Sequence, residues 1–209
     1  MTHRIATPNS KDFARIVQQY EEKYKNLDII YLSAITKYQN GADGLEKQEV
    51  ESILYPYLLK WGRMGRVLGY IGCDRIASAL QQLKPQLDEL NAETLLNIDL
   101  NDKSCSIDEL YDTLLNSKWK SNLGRTKRVG PTTTAKVLHL ALPNLFMIWD
   151  RRIREYYEFK DTGSEYFRFL EIMQDWNQKL FKTINSLQEK YGKSSTKLID
   201  EYNWKKCWG

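Results

Sequence analysis

An all-α fold is predicted for this 209-residue chain by two features of the sequence. Apolar residues recur at intervals of three and four along most of it, and no two alternating apolar–polar runs flank a hairpin turn. Phe13, Ile16, Val17, Tyr20 and Tyr24 mark a first amphipathic helix, and Leu27 to Tyr38 a second that stops at Asn40 and Gly41. Glu46 to Trp61 carries Val50, Ile53, Leu54, Tyr57 and Leu58 on one stripe, with Pro56 expected to kink or split it. A short helix follows over Asp74–Leu83, and Pro85 begins or bends the next. Asn101–Ser104 reads as a loop. Ser106 with Glu109 is a capping box that opens a helix through Tyr111 and Leu115, ending near Trp119. Further helices are expected over Thr132–Leu142, from Asp150 onward, over Glu165–Tyr191 with Gly192 as the stop, and around Leu198, Ile199 and Tyr202.

No repeat, low-complexity linker or sharp boundary divides the chain. The expectation is one helical domain over residues 1–209, or two helical lobes sharing a cleft. Hydrophobic residues make up 42% and charged residues 28%, which excludes a disordered chain. Cys73, Cys105 and Cys207 lack metal-ligand spacing, and His3 and His139 are too few to complete a zinc site, so no metal or other cofactor is expected. Free thiols, no recognisable leader in Met1–Ser10 and no run of about 18 apolar residues together predict a cytoplasmic protein that does not enter a membrane.

Net charge is only +4, but its distribution is uneven. No acidic residue lies between Asp112 and Asp150, whereas Lys118, Lys120, Arg125, Lys127, Arg128 and Lys136 all do. Such a stretch suits a polyanion-facing surface. Lys60, Arg63 and Arg66, spaced by three beside Trp61, form a second basic cluster able to grip phosphates or to rim a core helix.

Val129-Gly130-Pro131-Thr132-Thr133-Thr134 joins the basic loop to the next helix. Gly130 allows a tight turn, and Pro131 fits the first helical position. The amides and hydroxyls of Thr132, Thr133 and Thr134 are expected to face a phosphate, flanked by Arg125, Lys127, Arg128 and Lys136. Downstream, the apolar run Leu145-Phe146-Met147-Ile148-Trp149 ends in Asp150, which opens the following helix.

Turn, spacing and aspartate together resemble the helix-hairpin-helix DNA glycosylase superfamily of the endonuclease III and 8-oxoguanine glycosylase type. The likeness covers about 35 residues, roughly one sixth of the chain, with the helix-hairpin-helix element at about 106–142. It implies that Asp150 is the catalytic carboxylate, and that the chain binds DNA, or RNA, and hydrolyses the glycosidic bond of a flipped base. Arg128 stands where the family's hairpin has a first glycine. Thr132 or Thr133 stands where bifunctional members carry a lysine, and iron–sulfur cysteines are missing, so the resemblance implies a monofunctional, water-using enzyme.

The chemistry fits a lone carboxylate, which can stabilise the cation developing on the sugar and orient water. Trp149 and Trp61 are candidate walls of a base pocket. Asp150 is equally suited to cap a helix and to pair with Arg154, and His139, between Leu138 and Leu140, reads as a satisfied core histidine. Two other functions use the same residues: a non-catalytic DNA- or RNA-binding module, and a helical module for protein interaction.

Overall fold

A computed structural model describes residues 5–41 and 47–208, so the expected helix start at Glu46 and the residue His3 lie outside the described residues. The fold is all-α but for one small ribbon. Helix α1 (Ser10–Tyr24) is capped by Asn9, whose side chain accepts from the Asp12 amide at 2.8 Å, and buries Phe13, Ile16, Val17 and Tyr20 as the spacing requires. Helix α2 (Asp28–Gly41) follows. Helix α3 (Lys47–Glu49) runs directly into a π-helix over Val50–Trp61. Pro56 neither splits nor ends this helix. Proline offers no N–H to an α ladder, and the wider winding continues past it, closing with Gly62 N–H donating to Tyr57 O at 2.7 Å.

Helix α4 (Gly69–Glu89) carries Pro85 inside it, so the expected break at Leu83 is absent. Helix α5 (Leu100–Leu115) starts earlier than the Ser106 capping box indicates. Asp99 caps it through the amides of Asn101 and Asp102 at 3.0 and 3.2 Å, which makes Asn101–Ser104 the first turn of the helix rather than a loop. Strands β1 (Lys118–Lys120) and β2 (Thr126–Arg128) then form an antiparallel ribbon with Trp119 opposite Lys127. Helices α6 (Pro131–Ala141), α7 (Arg151–Tyr156), α8 (Gly163–Lys179), α9 (Phe181–Tyr191) and α10 (Ser195–Trp208) complete the chain. The expected single helix over 165–191 is two, divided at Leu180, and Gly192 ends α9 with φ +65°.

Buried apolar side chains from α1 to α10 form one contiguous core. Helix α6 runs through it with Val137, Leu138 and Leu140 at 0% exposure. His139 is also fully buried and has both ring nitrogens satisfied. Nδ1 donates to Phe146 O at 2.7 Å, and Nε2 accepts from the Tyr31 hydroxyl at 2.8 Å. A carbonyl can only accept, so Nδ1 carries the proton. The three cysteines are free thiols, and no helix of the described residues is long and apolar enough to cross a membrane.

Helix α10 docks on α1 and α2 through a buried charge cluster. Lys193 Nζ donates to Glu21, to Asp28 at 2.6 Å and to Glu201 at 2.7 Å. Lys197 Nζ lies 3.1 Å from Glu201, 3.5 Å from Asp200 and 3.6 Å from Asp28, with the rings of Tyr20, Tyr31 and Trp61 around it. Four carboxylates thus face two ammonium groups. Burial drives the Glu201 carboxyl up to about 8 and that of Asp200 to about 6, against the pull of Lys197. Burial also lowers the His139 imidazole to about 3 and the Lys136 ammonium to about 8.

These shifts act in separate pH windows. A carboxyl that holds its proton more tightly when folded contributes stability that is intact below its unfolded value, near 4.5 for Glu201, and is lost as pH rises toward 8. His139 acts in the opposite sense only below its unfolded value of 6.5, and Lys136 only above 8. Between pH 6.5 and 8 the unfolding free energy is therefore expected to fall by about 1–2 kcal/mol. Urea denaturation across that range checks this, and Glu201→Gln should flatten the slope.

Candidate nucleic-acid interface

The two basic clusters, some sixty residues apart in sequence, meet in space. Lys127 Nζ donates to Val67 O at 3.1 Å, and Lys136 Nζ donates to Gly62 O at 3.1 Å. The ribbon therefore leans against the turn that carries Arg63 and Arg66. Lys60, Arg63, Arg66, Lys118, Lys120, Arg125 and Arg128 are exposed, and none has a carboxylate partner among the described residues. Lys60 lies in the last turn of the π-helix, while Arg63 and Arg66 lie in the irregular turn beyond it, Arg63 at φ +54°. They share a surface through this turn, not through the helix face that their spacing indicates.

The ribbon is held by its inner face. Trp119 is 8% exposed and packs where Gly72 leaves room on α4; a Cβ at Gly72 would sit 3.0 Å from the Trp119 ring and 3.0 Å from Leu68 Cβ. Strand alternation then turns Lys118, Lys120, Thr126 and Arg128 outward. At the tip, Gly124 N–H donates to Ser121 O at 2.8 Å with Gly124 at φ +71°, a left-handed position that glycine adopts without strain. Leu123, beside it, is 81% exposed.

The segment after the ribbon differs from the tight turn expected on sequence. Helices α5 and α6, which span the stretch at 106–142 read as a helix-hairpin-helix element, are joined by the two-stranded ribbon instead of a short loop. Gly130 caps α6 in extended backbone, φ −93° and ψ 165°, and a Cβ there would meet nothing within 4 Å. No close approach requires glycine at this position. Thr133 and Thr134 are buried, the latter donating to Gly130 O at 3.2 Å, so their hydroxyls face the protein rather than a phosphate. The Thr132 hydroxyl accepts from Arg154 Nη1 at 3.2 Å. Of the sequence-expected phosphate group, Arg125, Lys127 and Arg128 remain on the surface or at its edge.

Asp150 caps α7, its Oδ1 accepting from the Ile153 amide at 2.9 Å, as its position before a helix leads one to expect. Its Oδ2 accepts from Trp208 Nε1 at 2.9 Å, and Arg152 lies 4.0 Å above the Trp208 ring. The expected Asp150–Arg154 pair is replaced by the Arg154–Thr132 contact and by an Arg151–Glu155 pair at 2.7 Å. Lys136 is half-buried, 4.9 Å from the Trp61 ring. Burial lowers its pKa most, while Asp200 and Asp150 favour its charge and Lys197 and Arg63 oppose it. Lys136 is tied to the root of the basic turn through Gly62 O.

Both tryptophans carry packing contacts, and Trp149 is closed off from the surface. Trp149 is fully buried among Tyr111, Phe159, Tyr166 and Phe169, and its Nε1 donates to the Tyr111 hydroxyl at 3.2 Å. Trp61 is half-buried, stacked on Tyr57 and bonded through Nε1 to Asp28 at 3.1 Å. An apolar residue next to a candidate catalytic aspartate reads as a wall from sequence, but burial assigns Trp149 to the core. Sequence reasoning also missed Leu123 and the buried charge cluster. The i,i+3 and i,i+4 placement of Lys197, Asp200 and Glu201 within an otherwise apolar run was the available signal for the last.

If Trp119 against Gly72 seats the ribbon, Gly72→Val should cost about 2 kcal/mol in chemical denaturation and speed amide exchange in residues 118–128. Unchanged exchange there would show that the ribbon is held by other contacts.

Comparison of the chain with family models, with curated proteins and with solved structures gave no match.

Proposed function

We propose that this chain binds nucleic acid, foremost duplex DNA, across the face made by the ribbon and the turn at 62–67. The observation that carries this reading is the convergence of two remote basic segments into one surface whose cations have no acidic partners. Uncompensated Lys and Arg on a single face raise the free energy of the isolated protein through mutual repulsion, and a polyanion relieves it while releasing counterions. A protein partner recognised by shape would need a continuous apolar centre, and the exposed apolar residues of this face, Leu123 and Val67, are set among lysine and arginine.

The finer reading, base excision, rests on Asp150. The residue caps a helix mouth, its charge favours that of the Lys136 ammonium, and it resembles the catalytic aspartate of helix-hairpin-helix glycosylases. Oδ1 is committed to the helix. Oδ2 is covered by the exposed residue Trp208, so displacement of that indole would present the carboxylate to a sugar.

Anisotropy titration of a labelled duplex against salt tests the binding claim. With about five phosphate contacts the log–log slope should lie near −4.5, and Lys120→Glu with Arg125→Glu should reduce its magnitude by about two. A flat salt response overturns the reading. For the excision step, Asp150→Asn keeps a capping oxygen, so it should bind normally while excision from a panel of damaged duplexes drops at least about a hundredfold. Wild-type protein that binds tightly yet excises nothing would leave a non-catalytic binding module.

A further inference from the structure

We infer that Leu123 is a wedge that enters the base stack of the bound duplex, an inference that rests on the nucleic-acid reading above and specifies how the ribbon engages its ligand. Leu123 is the most exposed large apolar side chain among the described residues, at 81%. It stands at the tip of the ribbon, and its setting is charged and polar: Lys120 and Arg125 flank the turn, and Asn122 and Gly124 adjoin it, all exposed. No apolar neighbour shares its exposure on the ribbon.

The turn is shaped to hold that side chain outward. Ser121 N–H donates to Arg125 O at 2.9 Å, Arg125 N–H donates to Ser121 Oγ at 3.2 Å, and Gly124 N–H closes the bend onto Ser121 O at 2.8 Å. Lys120 Nζ bonds Thr126 Oγ1 across the strands at 2.8 Å. Below, Trp119 and Lys127 fix the ribbon to α4 and to the turn at 62–67. A leucine presented on a stiff, cation-lined projection has the form of a group that enters between base pairs while the cations hold the flanking phosphates. Unstacking a step opposes binding, and contacts of the ribbon with the deformed duplex offset it.

The surroundings argue against other occupants. The centre of a protein–protein interface is depleted in charge, and here the leucine is flanked by lysine, arginine and asparagine. Insertion into a lipid surface draws on an amphipathic stripe, not on one leucine.

The test uses the full chain and duplexes carrying one 2-aminopurine at successive positions, whose emission rises when its neighbours unstack. Wild-type protein should raise emission at one or two adjacent positions. Leu123→Ala should abolish that rise and weaken binding about tenfold with the salt slope unchanged, and Leu123→Phe should restore the rise. As Leu123 is exposed, these variants do not disturb the core. Equal emission from wild type and Leu123→Ala overturns the wedge while leaving the binding surface intact, as does wild-type binding without any rise. Leu123-dependent capture by anionic vesicles, with duplex emission unaffected, also overturns it. Failure of the wild type to bind duplex at about 50 mM salt removes the nucleic-acid reading itself, and the wedge with it.

Discussion

The desolvated ammonium groups of Lys193 and Lys197 constrain the rest of this structure. Neither reaches water, so each needs carboxylates, and those come from α1 (Glu21), from the start of α2 (Asp28) and from α10 (Asp200, Glu201). Removing one partner of such a buried set strands a charge in a poorly polarisable interior, at a cost of about 3–5 kcal/mol. Helix α10 therefore has one docking position. Once it is placed, Tyr202 stacks on Phe13, and Trp208 at its far end reaches Asp150. Two of the four carboxyls are pushed by burial toward the neutral range, which moderates the excess of negative charge without a further cation.

A continuous chain of contacts leads from this cluster to the basic face. Asp28 accepts from Trp61 Nε1, Lys136 rests over the Trp61 ring, and Lys136 Nζ holds Gly62 O at the root of the turn that carries Arg63 and Arg66. The Tyr57 hydroxyl secures the Lys136 carbonyl at 2.9 Å. The π-helix contributes here. Its wide winding past Pro56 brings Tyr57 and Trp61 into a stack, and both face α6. The ribbon half of the face has separate support from Trp119 on α4, so the two basic segments are fixed by different contacts and joined through Lys127.

Residues that obey a local rule were legible in the sequence. The stripe Phe13, Ile16, Val17 and Tyr20 declares its helix, Gly192 declares a left-handed stop, and Asp150 declares a cap. Features decided by tertiary context were not. Strands of three residues, Lys118–Lys120 and Thr126–Arg128, are too short to show alternation, and only packing of Trp119 against Gly72 makes them a ribbon. The break at Leu180 carries neither proline nor glycine. Trp149 and the threonines at 133 and 134 bear chemistry suited to a site, and burial alone places them in the core. The meeting of Lys60–Arg66 with the ribbon is a long-range contact that no local pattern encodes.

Replacing a tight turn by a ribbon changes what the proposed interface can do. A glycine-centred turn grips phosphate with backbone amides, whose direction is set by the chain and whose strength owes little to mobile charge. Here Gly130 is extended and its threonine neighbours are turned inward, so the grip falls to lysine and arginine side chains on a projecting ribbon. Such contacts are longer-ranged, more adaptable and more sensitive to salt. They position a duplex less sharply, and a lone carboxylate working at a sugar requires sharp positioning. In this reading precision must come from groups that are rigidly placed. Two such groups are Leu123, held out by the closed turn, and Asp150, fixed by the first turn of α7. A side chain lodged between base pairs sets the register of the helix where mobile cations cannot, and the distance from the ribbon tip to the mouth of α7 then determines which nucleotide comes to lie beside the carboxylate.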